Sequence, residues 1–158
     1  PKLRNHFRSV KSHNTLFWPS IEPRRINNGL FKMLDNGRRV IKFTDYKDEG
    51  FKLYGSYNFD NKFHNRSIFY EAKKHRFSII DKVSHKDAIV NFNIALNNDL
   101  KKTPNGFFVN NINFTFQSFK KLKVENSFYS ESYLKKEKIN SVKVFLKDKI
   151  LKSEFYIC

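Results

Sequence analysis

Gly106-Phe-Phe-Val109, Asn110-Asn111 and Ile112-Asn-Phe-Thr-Phe116 read together as one hairpin. Apolar and polar residues alternate along Ile112–Phe116, the period of two of a pleated strand. The Asn pair between the two runs tolerates the positive φ that a tight turn demands. The same signature recurs upstream in Arg39-Val-Ile-Lys-Phe-Thr44, Phe51-Lys-Leu-Tyr-Gly-Ser-Tyr57, Arg66-Ser-Ile-Phe-Tyr70 and Phe77-Ser-Ile-Ile-Asp81. Further short runs follow at Ala88–Leu96, Lys121–Val124, Val142–Leu146 and Lys152–Ile157. Asp35-Asn36-Gly37, Asp48-Glu49-Gly50, Pro104-Asn105-Gly106 and Lys147-Asp-Lys149 are turn signals that separate these runs. Asn27-Asn-Gly-Leu-Phe-Lys-Met33 reads as a loop or a short helical turn. Strands spaced about ten residues apart predict an all-β fold, an antiparallel β-sandwich of about 10–12 short strands.

Composition agrees with that reading. The 158 residues are the size of one domain, and 39% hydrophobic content with 18 Phe suffices for a core. Phe, Tyr, Ile and Val are plentiful and Ala is scarce, a balance suited to pleated, half-buried surfaces. One domain over residues 1–158 is the expectation. A formal charge of +16 attracts acidic polymers from a distance: uronate polysaccharide, nucleic acid or anionic lipid. An alternative stays open, since Lys, Asn, Phe and Ile are together abundant as an AT-rich genome would encode them, with the lysines solvated on outward strand faces. The single Cys, Cys158, excludes an internal disulfide framework and leaves the redox compartment open. No run approaches the roughly 18 apolar residues of a membrane span, so no membrane span is expected.

The N-terminal stretch His6-Phe-Arg-Ser-Val-Lys-Ser-His13-Asn-Thr-Leu16 carries a resemblance. It is similar to the heparinase II/III-like polysaccharide lyases, in which an aromatic-Arg-Ser segment runs into a strand opening with His-Asn-Thr. The likeness continues in order. Glu22-Pro23 and Gly29-Leu-Phe-Lys-Met33 match a Glu-containing loop and a Gly-x-Phe-x-Met-like segment. Phe63-His64-Asn-Arg66-Ser-Ile68 resembles the family's His-x-Arg-Ser-Val strand, and Phe77-Ser-Ile-Ile-Asp81-Lys-Val83 its Ile-Ile-Asp-Arg-Val strand, with Lys82 in place of Arg. Val90-Asn-Phe-Asn-Ile94 stands where the family has a strand with a central His. Phe128-Tyr-Ser130-Glu-Ser-Tyr133 and Ser153-Glu-Phe155 resemble its closing Ser-x-x-Tyr turn and last strands. Phe17-Trp-Pro-Ser20 departs from the Asp-Gly turn that many members carry after His-Asn-Thr.

The resemblance implies a C-terminal, supersandwich-like β-sandwich of a larger lyase that cleaves uronic-acid polysaccharide by β-elimination. The N-terminal helical toroid and first sandwich strands would then precede Pro1, and the sandwich would pack on that toroid. In the family an Asn and a Tyr of the toroid and a His upstream carry the chemistry, so no catalytic residue is assigned here and the chain alone is expected to be inactive. His13 is implied as one ligand of a structural zinc whose remaining His and Asp ligands lie upstream. A lone imidazole does not hold zinc firmly. Without the resemblance, His13 reads as a strand residue hydrogen-bonded to backbone. Arg8 is a candidate contact for an acidic sugar or a partner in an ion pair. His64 and Arg66 occupy alternate positions of one strand, so they share a face and reach either a substrate carboxylate or a core acid such as Asp81. His6, His75 and His85 read as surface residues.

The implied partner is an acidic polysaccharide. Nucleic acid is not expected, since neither a Gly-Phe-x-Phe RNA-binding signature nor a zinc-finger pattern occurs. Family habit implies a bacterial protein exported to the periplasm or medium. Two readings compete with a lyase domain: a non-catalytic polyanion-binding β module, hinted at by Phe51-Lys-Leu-Tyr54 and Asn113-Phe-Thr-Phe116, and a structural cap.

Overall fold

The structure is a computed structural model, and it describes residues 2–22, 24–26, 33–35, 37–95, 98–130 and 136–157. A short helix α1 (Lys2–Arg8) leads into strands β1 (Leu16–Phe17), β2 (Arg24–Ile26), β3 (Met33–Asp35), β4 (Arg38–Asp45), β5 (Gly50–Phe59), β6 (Lys62–Glu71) and β7 (Arg76–Val83). Then come β8 (Ile89–Ala95), β9 (Leu100–Thr103), β10 (Gly106–Val109), β11 (Ile112–Gln117), β12 (Phe119–Tyr129), β13 (Glu137–Leu146) and β14 (Ile150–Ile157). The fold is all-β, with two antiparallel sheets as a β-sandwich requires. One sheet has the order β1-β8-β13-β12, the other β4-β5-β6-β7-β14-β11-β10-β9, and β2 pairs with β3. Each large sheet anchors its own compact unit. No helix among the described residues is long and apolar enough to cross a membrane.

The alternating runs form strands over their described residues, Leu96 lying outside these, and two of the turn residues take the positive φ their chemistry allows. Asn110 takes φ 53° between β10 and β11, and Gly50 takes φ 131° after a short 3-10 turn. Two turns escaped the sequence reading. Asp60 (φ 45°) and Asn61 (φ 58°) form a two-residue connection from β5 to β6, the positive-φ pair that a type I′ hairpin needs. His75 (φ 46°) closes the 3-10 turn that joins β6 to β7. Strand β1 follows directly on the His-Asn-Thr motif, where the resemblance implied a strand, whereas β2, β3 and β9 were not expected and have only three or four residues each. The described strands number fourteen, above the expected 10–12, for this reason. Residues 27–32, Asn36 of the Asp35–Gly37 turn and the Ser-x-x-Tyr region 131–135 lie outside the described residues.

In the eight-stranded sheet, cross-strand partners define the two faces. Phe51 pairs with Tyr70, Tyr70 with Phe77, Phe77 with Phe155, Phe155 with Phe114 and Phe114 with Phe107. Six adjacent strands thus set one aromatic residue each into a single transverse row. Ring centroids along it lie 5.5 Å (Phe51–Tyr70), 4.6 Å (Tyr70–Phe77), 4.7 Å (Phe114–Phe155) and 4.5 Å (Phe107–Phe114) apart. Two residues further along, the same face carries Ile68, Ile79, Ser153 and Phe116, and then Arg66, Asp81 and Leu151. Phe107, Phe116, Leu151, Val83 and Asp81 on this face are buried, so it is the core face. In the smaller sheet, Leu16, Val90, Val142 and Val144 are buried, as are Phe17 and Trp18 beside them. The Phe17-Trp18 departure therefore supplies core.

Two glycines test this packing. A Cβ on Gly106 would fall 1.8 Å from the Phe114 carbonyl oxygen, whereas one on Gly55 meets nothing within 4 Å. Gly106→Ala is expected to lower stability by about 1–3 kcal/mol. Gly55→Ala is expected to be neutral or stabilising by about 0.5 kcal/mol. Urea midpoints of the two variants check the contrast.

Candidate functional site

The N-terminal motif is held by its own polar scaffold. Ser9 Oγ donates to Glu22 Oε2 at 2.6 Å, and the Val10 amide donates to Glu22 Oε1 at 3.1 Å. Ser9 Oγ in turn accepts from the Lys11 amide at 3.3 Å, capping a 3-10 turn over Val10–Ser12. Ser12 Oγ donates to the His6 carbonyl at 2.5 Å. His13 ends this turn, so the His-Asn-Thr motif precedes β1 and does not open a strand as expected.

Strand β8 fixes the motif from the far side of the sequence. The buried Asn91 Nδ2 donates toward the carbonyls of Lys11 (3.2 Å) and His13 (3.3 Å), while its Oδ1 accepts from Ser141 Oγ at 2.6 Å. Asn93 Nδ2 donates to the Ser12 carbonyl at 2.9 Å, and its amide donates to Asn14 Oδ1 at 2.7 Å. The Asn91 amide donates to the Thr15 carbonyl at 2.9 Å. The backbone around His13 is thereby held at several points while its imidazole is exposed. Among the described residues, no three His, Cys, Asp or Glu side chains gather where they could hold a metal ion. His13 thus stands without a gathered set of further ligands among the described residues.

A second cluster lies on the core face of the eight-stranded sheet. Arg66 on β6 is the cross-strand partner of Asp81 on β7, and His64 sits two residues away on the same face. Asp81 Oδ1 accepts from His64 Nε2 at 2.6 Å and from Arg66 Nε at 2.7 Å, and Oδ2 accepts from the same guanidinium at 3.1 Å. Asp81 is 1% exposed, whereas His64 and Arg66 retain 13% and 21%. Burial pushes the Asp81 carboxyl up, but the Arg66 charge and the hydrogen bonds from His64 and Arg66 outweigh it and hold the group below its ordinary value. Of the two partners the sequence left open for His64 and Arg66, the one in contact is the core acid.

Arg8 and His6 adjoin the first cluster, while His75 and His85 lie elsewhere. Arg8 closes α1 and is half-buried. His6, expected on the surface, is half-buried with its Nε2 covered, because it packs against the 3-10 turn that Ser12 ties to it. His75 and His85 are exposed as expected. Glu22, Asn91 and Asn93 stood in quoted motifs without a role assigned to them, and Ser141 was missed. The available signal was the Asn pair at alternate positions of an otherwise apolar strand, since buried amides in such a place must find partners.

No protein-family model and no curated protein matches the chain. A search of solved structures finds heparinase III with methylated lysines, at a TM-score of 0.65 and 20% sequence identity. The match covers 99% of this chain and 25% of that one. The likeness that the motifs pointed to therefore extends to the fold along nearly the whole chain.

Both clusters yield predictions. Asp81→Asn keeps the shape but leaves the Arg66 charge without its counter-ion, and is expected to cost about 3 kcal/mol. Because folding lowers the Asp81 pKa, its stabilisation is complete above the ordinary carboxylate value near 4 and is lost as pH falls through the lower folded value. Urea titrations at descending pH should show wild type losing stability in that acid range more steeply than the Asn variant. Asn91→Ala strands Ser141 Oγ and the carbonyls of residues 11 and 13, and is expected to cost about 1–3 kcal/mol and to speed amide exchange across residues 11–15.

Proposed function

We propose that this chain is one domain of a longer lyase that cleaves uronic-acid polysaccharide by β-elimination. The observation that carries the reading is the fold it shares with heparinase III over 99% of its length, while spanning only a quarter of that chain. The ordered motifs agree with it. In such a reaction a base removes the C5 proton, the uronate carboxylate stabilises the resulting enolate, and the C4 oxygen leaves with a proton from an acid. Groups that neutralise the carboxylate and move these protons must stand within hydrogen-bond reach of the sugar. The acid and base are proposed to come from outside this chain.

His13 is proposed to donate one ligand to a structural zinc, the other ligands also coming from outside. Its support is the contrast between a backbone held by Asn91 and Asn93 and an exposed ring. When bound, such a zinc would supply structural cross-linking only. Arg8 is proposed to meet an acidic sugar. The exposed fractions of His64 and Arg66 are proposed to do likewise, with Asp81 orienting both groups. A non-catalytic acidic-glycan-binding module is the second reading, favoured by the lysines on the outward face of the eight-stranded sheet.

The test uses a longer protein carrying this chain, offered a panel of acidic glycans and followed by the ultraviolet absorbance of the unsaturated uronate product. Product should form on at least one glycan. His13→Ala should lower zinc content together with turnover, the latter by about tenfold or more. A folded protein that forms no product on any glycan would leave the binding reading in its place.

A further inference from the structure

The face of the eight-stranded sheet opposite the core carries a charge pattern that the lyase chemistry does not use. Lys42 on β4, Tyr54 on β5, Ser67 on β6, Ile80 on β7 and Lys152 on β14 form one register row across five adjacent strands. Lys52 stands diagonally beside Lys42, and Lys82 diagonally beside Lys152. Two pairs of lysines thus flank a central strip containing Tyr54 and Phe69. Lys42, Lys82 and Lys152 are exposed, and no acid among the described residues pairs with them. The acids on this part of the face are Glu71 and Glu154. Glu71 is taken by Lys74 and Arg76, and Glu154 is within electrostatic reach of Arg76. The four lysines are left as a net positive field.

We propose that this outward face binds an acidic polysaccharide chain laid across the strands, with the Lys42–Lys52 and Lys82–Lys152 pairs holding successive anionic groups. The proposal rests on the reading that the protein acts on acidic glycans. Four interstrand steps of about 4.8 Å separate Lys42 from Lys152, about 19 Å in all, too far for one small anion to bridge and suited to a chain with repeated charges. The strip between the pairs supplies hydroxyl and amide groups for sugar hydroxyls, Ser67 in the row itself and the hydrogen-bonded Ser56–Asn65 pair beside it. A single-stranded nucleic acid fits less well. Base stacking needs open ring faces, and Phe69 already has the Lys52 ammonium 5.0 Å over its centroid.

The experiment titrates the 158-residue chain with a heparin-derived oligosaccharide, a polygalacturonate oligosaccharide and oligo-dT at low and moderate salt. A Lys42→Glu, Lys82→Glu, Lys152→Glu variant is compared with a control of equal charge, Lys86→Glu, Lys120→Glu, Lys147→Glu. Gln versions of both sets serve if the Glu version of the first fails to fold by circular dichroism. Expected is a loss of about tenfold or more in affinity for at least one acidic oligosaccharide in the first set, with less than about threefold in the control. Equal losses in both sets, no loss in either, no glycan binding at all, or tighter binding of oligo-dT than of either glycan would overturn the proposal. Product formation by the longer wild-type protein tests the lyase reading separately, so this face can fail while that reading stands, or the reverse.

Discussion

The row of six aromatic side chains across β5, β6, β7, β14, β11 and β10 is the constraint on which the larger sheet depends. In a pleated sheet the side-chain period is two, so slipping any strand by one residue would turn its whole apolar set outward. Phe51, Tyr70, Phe77, Phe155, Phe114 and Phe107 resist that slip together, with ring contacts along Phe51–Tyr70–Phe77 and Phe155–Phe114–Phe107 and the backbone pairing of Phe77 with Phe155 between them. Such contacts contribute about 0.5–1.5 kcal/mol each beyond their area. Everything else on the sheet follows from this register. His64, Arg66 and Asp81 are carried to the core face, and Lys42, Lys52, Lys82 and Lys152 to the other.

The Asp81 cluster is the costly consequence. A carboxylate at 1% exposure loses its hydration, and the forked contact from Arg66 and the bond from His64 compensate. Such a cluster adds little net stability, yet it ties β6 to β7 in one alignment, since a shifted strand would leave a bare charge in the core. It also holds two cationic-capable side chains in fixed orientations while leaving part of each uncovered. That combination of order and access is what a substrate-facing role for these residues would need.

In the smaller sheet the corresponding device is made of amides. Asn91 and Asn93 reach back some 80 positions to hold the carbonyls of residues 11–13. Buried amides satisfied in this way give a loop a definite shape without regular secondary structure. The motif His13-Asn14-Thr15 owes its geometry to β8 and β13 more than to its own propensity. Trp18 and Phe17, which depart from the polar turn of the resembled family, anchor its far end in the core.

The all-β class, the positions of the longer strands and the turns at Asn110 and Gly50 were determined by sequence alone, because period-two patterning and positive-φ preference act over a few residues. The same local rule placed His64 beside Arg66, and Lys52 beside Tyr54, on common faces. Which face was core, however, depended on strand pairing. Phe77 pairs with Phe155 between strands distant in the chain, Arg66 meets Asp81 across the β6–β7 connection, and Lys42 shares a row with Lys152 only through the three strands between them. The hold of Asn91 on residues 11–15 is non-local in the same way. Alternation tells a strand which residues lie together, while only the assembled sheet tells it what they lie against.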